Sequence, residues 1–243
     1  MGSIRDDLND LGTSLSEMVS GRIDQGLLDH IRHLESVVAN GDAAALCILG
    51  QAAQYCAVEL QDTDCYHKAA AYFEEAAQQN ETQAKFLLGL LFAGPDQSAP
   101  LDKPALAEKW LKEAAAEGHG DALALIALAH RKGSFVAKDR QRANALMRRA
   151  ALMGSHIAQQ EVGKSYIRRF RISKANVWLY LSGLHQQASE KDREFSEKLG
   201  KDPAIKSKAE SIVNVISTVQ TAYEEGRIAD ASASVDEGIA RFF

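Results

Sequence analysis

The spacing Gly/Asn-x-x-x-Ala recurs four times along the 243 residues, at Gly41 to Ala45, Asn80 to Ala84, Gly118 to Ala122 and Gly154 to Ala158. A period in the thirties constrains a chain more than any local motif does. Self-similarity on that scale comes from stacking one supersecondary unit on the next, not from closing a single enzyme-like core. Composition makes those units helical: Ala and Leu dominate a hydrophobic share of 46%, there are only four Pro, and 7% aromatic residues is thin for a β-sandwich core. No apolar run approaches the roughly 18 residues of a membrane-spanning helix. The expectation is a cytoplasmic protein with no membrane association, or a periplasmic one if an export signal has been removed.

Each unit reads as two helices. The first carries a small residue five places after the marked alanine, at Gly50, Gly89, Ala127 and Gly163. Gly costs about 1 kcal/mol in a helix interior, so its recurrence predicts close approach of a neighbouring helix. The second helix carries an alanine, a large residue three places on, and two small residues: Ala69, Tyr72, Ala76-Ala77; Ala107, Trp110, Ala114-Ala115; Ala143, Leu146, Ala150-Ala151; Ala175, Trp178, Ser182-Gly183. This face predicts ridge-into-groove packing, with the large residue as its knob. The alanine returns after 38, 36 and then 32 residues, so the units shorten. Asn80, Gly118 and Gly154 suit left-handed helix ends, and Asp139 suits an N-cap. The loop inside each pair is longest between Gly94-Pro95 and Pro104 and shortest at Arg168 to Lys174.

Ala-x-x-x-x-Gly, a turn with Gly133 and Val136, then Asp139, Arg142-Ala143, a bulky residue and Ala-Ala-x-x-Gly together form a pattern that resembles the Sel-one-like repeats, relatives of the tetratricopeptide repeat. The third unit matches best, and Trp110-x-x-x-Ala114-Ala115-x-x-Gly118 is the clearest phrase of the second. The resemblance covers residues 41 to 187. It implies an all-α fold, a right-handed α-solenoid of about four helix pairs closed by helical hairpins at both ends, and a bacterial source. The expected divisions are a capping hairpin over 1–40, the repeats over 41–187 and capping helices over 188–243.

By the same resemblance the first helices line a concave groove. Its contact residues would be Gln51, Gln54 and Tyr55, then Phe86 and Leu90, then Arg131 and Lys132, then Gln160, Lys164 and Arg168. The resemblance further implies a protein partner.

Exposed apolar ends of such a stack need covering. Ile4, Leu8, Leu11, Leu15 and Met18 form one N-terminal stripe, and Ile23, Leu27, Ile31, Leu34 and Val38 another. After Pro203, the residues Ile205, Ala209, Ile212, Val213, Ile216, Val219 and Tyr223 align at helical spacing, and Ile228, Val235, Ile239 and Phe242 follow the break at Gly226. This second hairpin either packs on the fourth repeat or serves as a homodimer or second partner surface.

Charge is segregated beneath the net of −5. Residues 1 to 100 hold five basic and fifteen acidic side chains, residues 101 to 175 hold fifteen and seven, and residues 176 to 243 hold eight and eleven. The basic segment reads either as a docking face for an acidic segment or surface, or as a solvated face. Arg148 and Arg149, on a second helix, are expected to face outward. Nucleic acid is disfavoured by the isoelectric point of 5.8 and the few aromatics among the basic residues.

Catalytic and cofactor signatures are missing: the chain has no G-x-S-x-G, P-loop, G-x-G-x-x-G or H-E-x-x-H. His30 and His33 share a helix face without a third ligand candidate, and His67, His119, His130 and His156 fall at loop or packing positions. Cys47, Cys56 and Cys65 stand nine apart, and on one helix Cys47 and Cys56 face opposite sides, so buried or incidental thiols are expected. The regular cysteine pairs of the secreted branch of the repeat family, which is associated with penicillin binding or hydrolysis, are absent. The reading is a non-catalytic scaffold or adaptor without cofactor or metal. The alternatives are an immunity protein neutralising a toxin, a regulator of a signalling or envelope pathway, and a hydrolase.

Overall fold

The structure, a computed structural model, describes residues 42–60, 63–93, 101, 103–186 and 188–243. The N-terminal stripes, Gly41, the His30/His33 pair and most of the loop before Pro104 lie outside the described residues, as does the side chain of Cys56. Eleven α-helices and no strand occur among the described residues. The chain divides into two compact units, Met1–Ala107 and Glu108–Phe243. The first holds α1 (Ala43–Leu60), α2 (Thr63–Gln78) and α3 (Thr82–Ala93), and α4 (Pro104–Ala116) runs across the boundary. The second continues with α5 (Gly120–Lys132), α6 (Arg140–Leu152), α7 (His156–Ile167), α8 (Ile172–Gly183), α9 (Glu190–Leu199), α10 (Pro203–Glu224) and α11 (Ile228–Phe242).

The recurring Gly/Asn-x-x-x-Ala segment is a helix stop fused to a helix start. Asn80, Gly118 and Gly154 have φ of 65°, 96° and 88°, the left-handed conformation that ends a helix. In each case the residue after it returns its N–H to the first alanine of the Ala-Ala pair: Glu81 to Ala76 O at 3.2 Å, His119 to Ala114 O at 3.0 Å and Ser155 to Ala150 O at 3.0 Å. The second alanine accepts from the left-handed residue itself, at 3.1, 3.2 and 3.3 Å. The residue before the next helix then caps it at three of the junctions. Asp42 Oδ1 accepts from Ala44 N at 2.9 Å, His119 Nδ1 from Ala122 N at 3.2 Å, and Ser155 Oγ from Ala158 N at 3.1 Å. Asp139 caps α6 in the same manner, accepting from Arg142 N at 2.9 Å.

Helix pairs follow: α1 packs on α2, α5 on α6 and α7 on α8. The small residue of the first helix receives a side chain of the second. A Cβ on Gly50 would overlap the Phe73 ring, and one on Gly163 would sit 2.7 Å from Leu179 Cγ. Phe73 and Leu179 stand four places after the repeat alanine, not three, which corrects the expected knob. Phe73 and Leu111 are fully buried and Met147 nearly so, whereas Tyr72, Trp110 and Leu146 are half-buried. Residues four apart lie almost one above the other on a helix, so the fourth place continues the alanine's face and the third swings off it.

Trp178, at the third place, is nevertheless buried. It is covered from outside by the C-terminal hairpin. Helices α10 and α11 pack on each other and against α6, α10 also packs on α8, and Phe243 stacks on Trp178 with ring centres 4.8 Å apart. The hairpin's stripe is buried as Ile205, Ala209, Ile212, Ile216 and Val219, while Val213 remains 45% exposed. The third repeat thus shares with the fourth the covering assigned by sequence to the fourth alone.

Candidate protein-interaction site

Within the Glu108–Phe243 unit, the C-terminal end of α5, the middle of α6 and the end of α7 surround a depression of about 110 Å³. Ala127, Ala143 and Val162 line its apolar part, and Arg131, Arg148, Arg168 and Arg169 bring four guanidiniums to it against the single side-chain carboxylate of Glu161. Glu161 organises the group. Arg131 Nη1 donates to its Oε2 at 2.6 Å, and Lys164 Nζ lies 3.7 Å from its Oε1. Burial alone would raise the Glu161 carboxyl, but the hydrogen bond and charge of Arg131, with Lys164 and Arg168 behind it, hold its pKa below the ordinary carboxylate value. Lys164 also donates to Gln160 Oε1 at 2.8 Å, and Gln160 Nε2 donates to Asp192 Oδ2 at 3.1 Å. Burial raises the Tyr166 phenol against the opposing charges of Arg148, Arg171 and Arg169, so it stands at the depression as a neutral hydroxyl.

Beside this depression the chain makes an unfavourable turn. Phe170 has φ of 56°, a left-handed conformation that costs a non-glycine residue roughly 1–2 kcal/mol. The turn is closed by Phe170 N to Ile167 O at 2.9 Å and Arg171 N to Tyr166 O at 3.0 Å. The phenyl ring it carries is 91% exposed. An aromatic ring held out to water by a strained backbone, directly after Arg169 of the depression in the chain, is a combination that packing does not require.

The structure brings Gln160, Lys164, Arg131 and Arg168 together around Glu161. Lys132 is exposed at the end of α5 without lining the depression. Gln51, exposed, with Gln54 and Tyr55, half-buried, lies on α1, and the half-buried Phe86 and Leu90 lie on α3; these five belong to the Met1–Ala107 unit. The expectation that Arg148 and Arg149 both face outward is corrected. Helix neighbours point about 100° apart, so Arg148 turns to the depression, 5.6 Å from the Phe243 ring, and Arg149 pairs with Asp236 and donates to Ser232 Oγ at 3.1 Å on α11. Sequence reasoning missed Glu161, Arg148, Arg169 and Phe170. The one available signal was the separation of Glu161 from Arg131 by 30 residues, close to the repeat spacing.

The remaining polar clusters are structural. Ser155 spends its hydroxyl on Asp121 while capping α7, and it is buried. His130 Nδ1 meets Ala137 O at 2.9 Å and holds the loop between α5 and α6. His156 and His185 have ring centres 5.8 Å apart, and His185 Nε2 meets Gln159 Oε1 at 3.1 Å. Burial pushes the Cys47 thiol up to about 12, reinforced by Glu81, so it is not a poised nucleophile. No group of three or more His, Cys, Asp or Glu among the described residues is placed to hold a metal ion, and no helix among them is long and apolar enough to cross a membrane.

Two of these histidines set a pH dependence. Burial lowers the pKa of His119, partly opposed by Asp121; burial and then His156 lower that of His185, again opposed by Asp121. A depressed folded pKa means that the unfolded chain binds the proton more tightly. Their contribution to stability is therefore complete above the unfolded value near 6.5 and is lost as pH falls through the folded values. Protonation of His119 would also remove the acceptor that caps α5. Thermal unfolding is expected at a lower midpoint at pH 5 than at pH 7.5, and His119→Asn, which keeps a capping oxygen, should flatten that difference.

Paired helices joined by fused stops and starts define an all-α helical-repeat protein. Among solved structures, a Sel1 repeat protein from Oxalobacter formigenes aligns over 96% of this chain and 99% of its own, with a TM-score of 0.52 and 19% identity. This likeness shows the Sel1-repeat fold. A protective antigen present in uropathogenic Escherichia coli strains, c5321, which displays the same fold, aligns over 95% of this chain and 56% of its own with a TM-score of 0.34 and 19% identity. No family model and no curated protein matches the sequence.

Proposed function

We propose that the chain is a non-catalytic interaction scaffold whose Glu108–Phe243 unit captures an acidic segment of a partner protein at the four-arginine depression. The observation that carries this reading is the ratio of four guanidiniums to one side-chain carboxylate in a concave site floored by apolar side chains. Arginine forks take carboxylates in bidentate fashion, and the unbalanced charge steers an acidic chain toward the site and speeds association. Phe170 supplies an exposed ring beside the charges, the kind of anchor that dominates binding energy when a partner covers it. Gln51, Gln54, Tyr55, Phe86 and Leu90 are proposed as partner contacts of their own unit.

The test is to reverse Arg131, Lys132, Lys164 and Arg168 together to Glu and compare capture of the partner from the native source at low and moderate salt. Wild-type capture should weaken with salt and the variant should capture none, with an unchanged helical circular dichroism spectrum. Equal capture by both proteins would contradict the site.

A further inference from the structure

A second cavity opens on the far side of Trp178 from α7, where α8, α10 and α11 meet. Its volume is about 340 Å³, within the range of small-molecule pockets. The apolar surface comes from Val177, Trp178, Ile212 and Phe242. Three cations, Lys174, Lys208 and Arg241, complete the lining with two serines, and no carboxylate lines it. Lys208 and Arg241 form no ion pair among the described residues. Two of the three cations have contacts of their own: Lys174 Nζ lies 3.4 Å from a backbone oxygen of Phe242 and one of Phe243, the last residue, and the Arg241 guanidinium lies 5.2 Å from the Phe242 ring centre.

We infer that this cavity is a binding site for a small amphipathic carboxylate, an apolar body of acyl-chain type with one anionic head. The apolar surface would take the body out of water, at roughly 25 cal/mol per Å² of apolar area removed. The rim supplies charge where the head emerges. A neutral ligand of the same shape would gain the first contribution and not the second, and a cationic one would be repelled. The site is distinct from the depression around Glu161, since none of the residues lining one lines the other.

Trp178 reports on occupancy. In a Trp110→Phe background it is the single tryptophan, and its emission should change saturably when decanoate is added below its micelle concentration. Lys208→Glu with Arg241→Glu, both at exposed positions, should raise the decanoate Kd at least tenfold. Decanol should bind at least tenfold more weakly than decanoate to the unreversed protein and be indifferent to the reversal. Ser211→Phe, which fills the cavity from α10, should abolish the response to decanoate. The proposal is overturned by a decanoate Kd unchanged on charge reversal, by decanol binding as tightly as decanoate, or by the absence of any saturable response.

Discussion

Trp178→Ala is expected to lower the stability of the Glu108–Phe243 unit by about 3–5 kcal/mol, measured as the shift in a urea unfolding midpoint at unchanged slope. The side chain is 1% exposed and lies in a cluster drawn from α5 through α8 and from α10 and α11. Truncation removes a large apolar surface, leaves a cavity in a closely packed region, and deprives Phe243 of the ring it stacks on. Because Trp178 stands off the face its helix turns to α7, the loss falls on the seat of the C-terminal hairpin. Arg149→Ala, which cuts the polar tie between α6 and α11, should cost no more than about 1 kcal/mol. Its partner Asp236 is 63% exposed, so water replaces much of what the pair provides. The contrast separates an apolar attachment of the hairpin from an electrostatic one.

The second large effect lies in the other unit. Phe73 is fully buried with its ring where a Cβ of Gly50 would fall. Phe73→Ala should cost about 3–5 kcal/mol. Gly50→Ala in the wild-type protein should cost about 1–3 kcal/mol, because neither the ring nor the two helix backbones can move apart without breaking other contacts. In the Phe73→Ala background the same substitution should change sign. The methyl group then enters vacated space, and alanine regains up to about 1 kcal/mol of helix propensity. A double-mutant cycle by chemical unfolding checks this, and a penalty for Gly50→Ala that survives the loss of Phe73 would show that the glycine is there for another reason.

Much of this fold was legible because local chemistry and tertiary packing agree. Ala76-Ala77, Ala114-Ala115 and Ala150-Ala151 supply the carbonyls of the helix stops, and the Asn or Gly four residues after the first of each pair supplies the left-handed turn, so each boundary is written within six residues. The knob was misplaced by one position because the spacing of large residues does not say which of two adjacent side chains, Tyr72 or Phe73, faces the first helix; the glycine opposite decides it. The hairpin stripe after Pro203 was visible, but its seat depended on the outer surface of α6 and α8, where Trp178 lies in the same sequence pattern as the half-buried Trp110.

The candidate site was half legible for a related reason. A basic segment is apparent from counting charges, and Arg131, Lys164 and Arg168 come from it. What one repeat contributes to the next is not apparent, which is why Glu161 went unnoticed as the partner of Arg131. Adjacent arginines also look equivalent in sequence, although the helix sends Arg148 to the depression and Arg149 to α11. Phe170 gave no signal at all, because a left-handed phenylalanine violates the local preference from which turns are read.

The most direct measurement is photo-cross-linking from within the depression. Asn144 is exposed and lines it, so a benzophenone amino acid placed there should couple to the partner in the native source through a peptide rich in Asp and Glu, with the yield falling as salt is raised. The same probe at Asn214, exposed on α10 outside the depression, should give no such product. A partner that couples through Asn214 and not through Asn144, or through a segment without acidic residues, would contradict capture of an acidic chain by the four arginines.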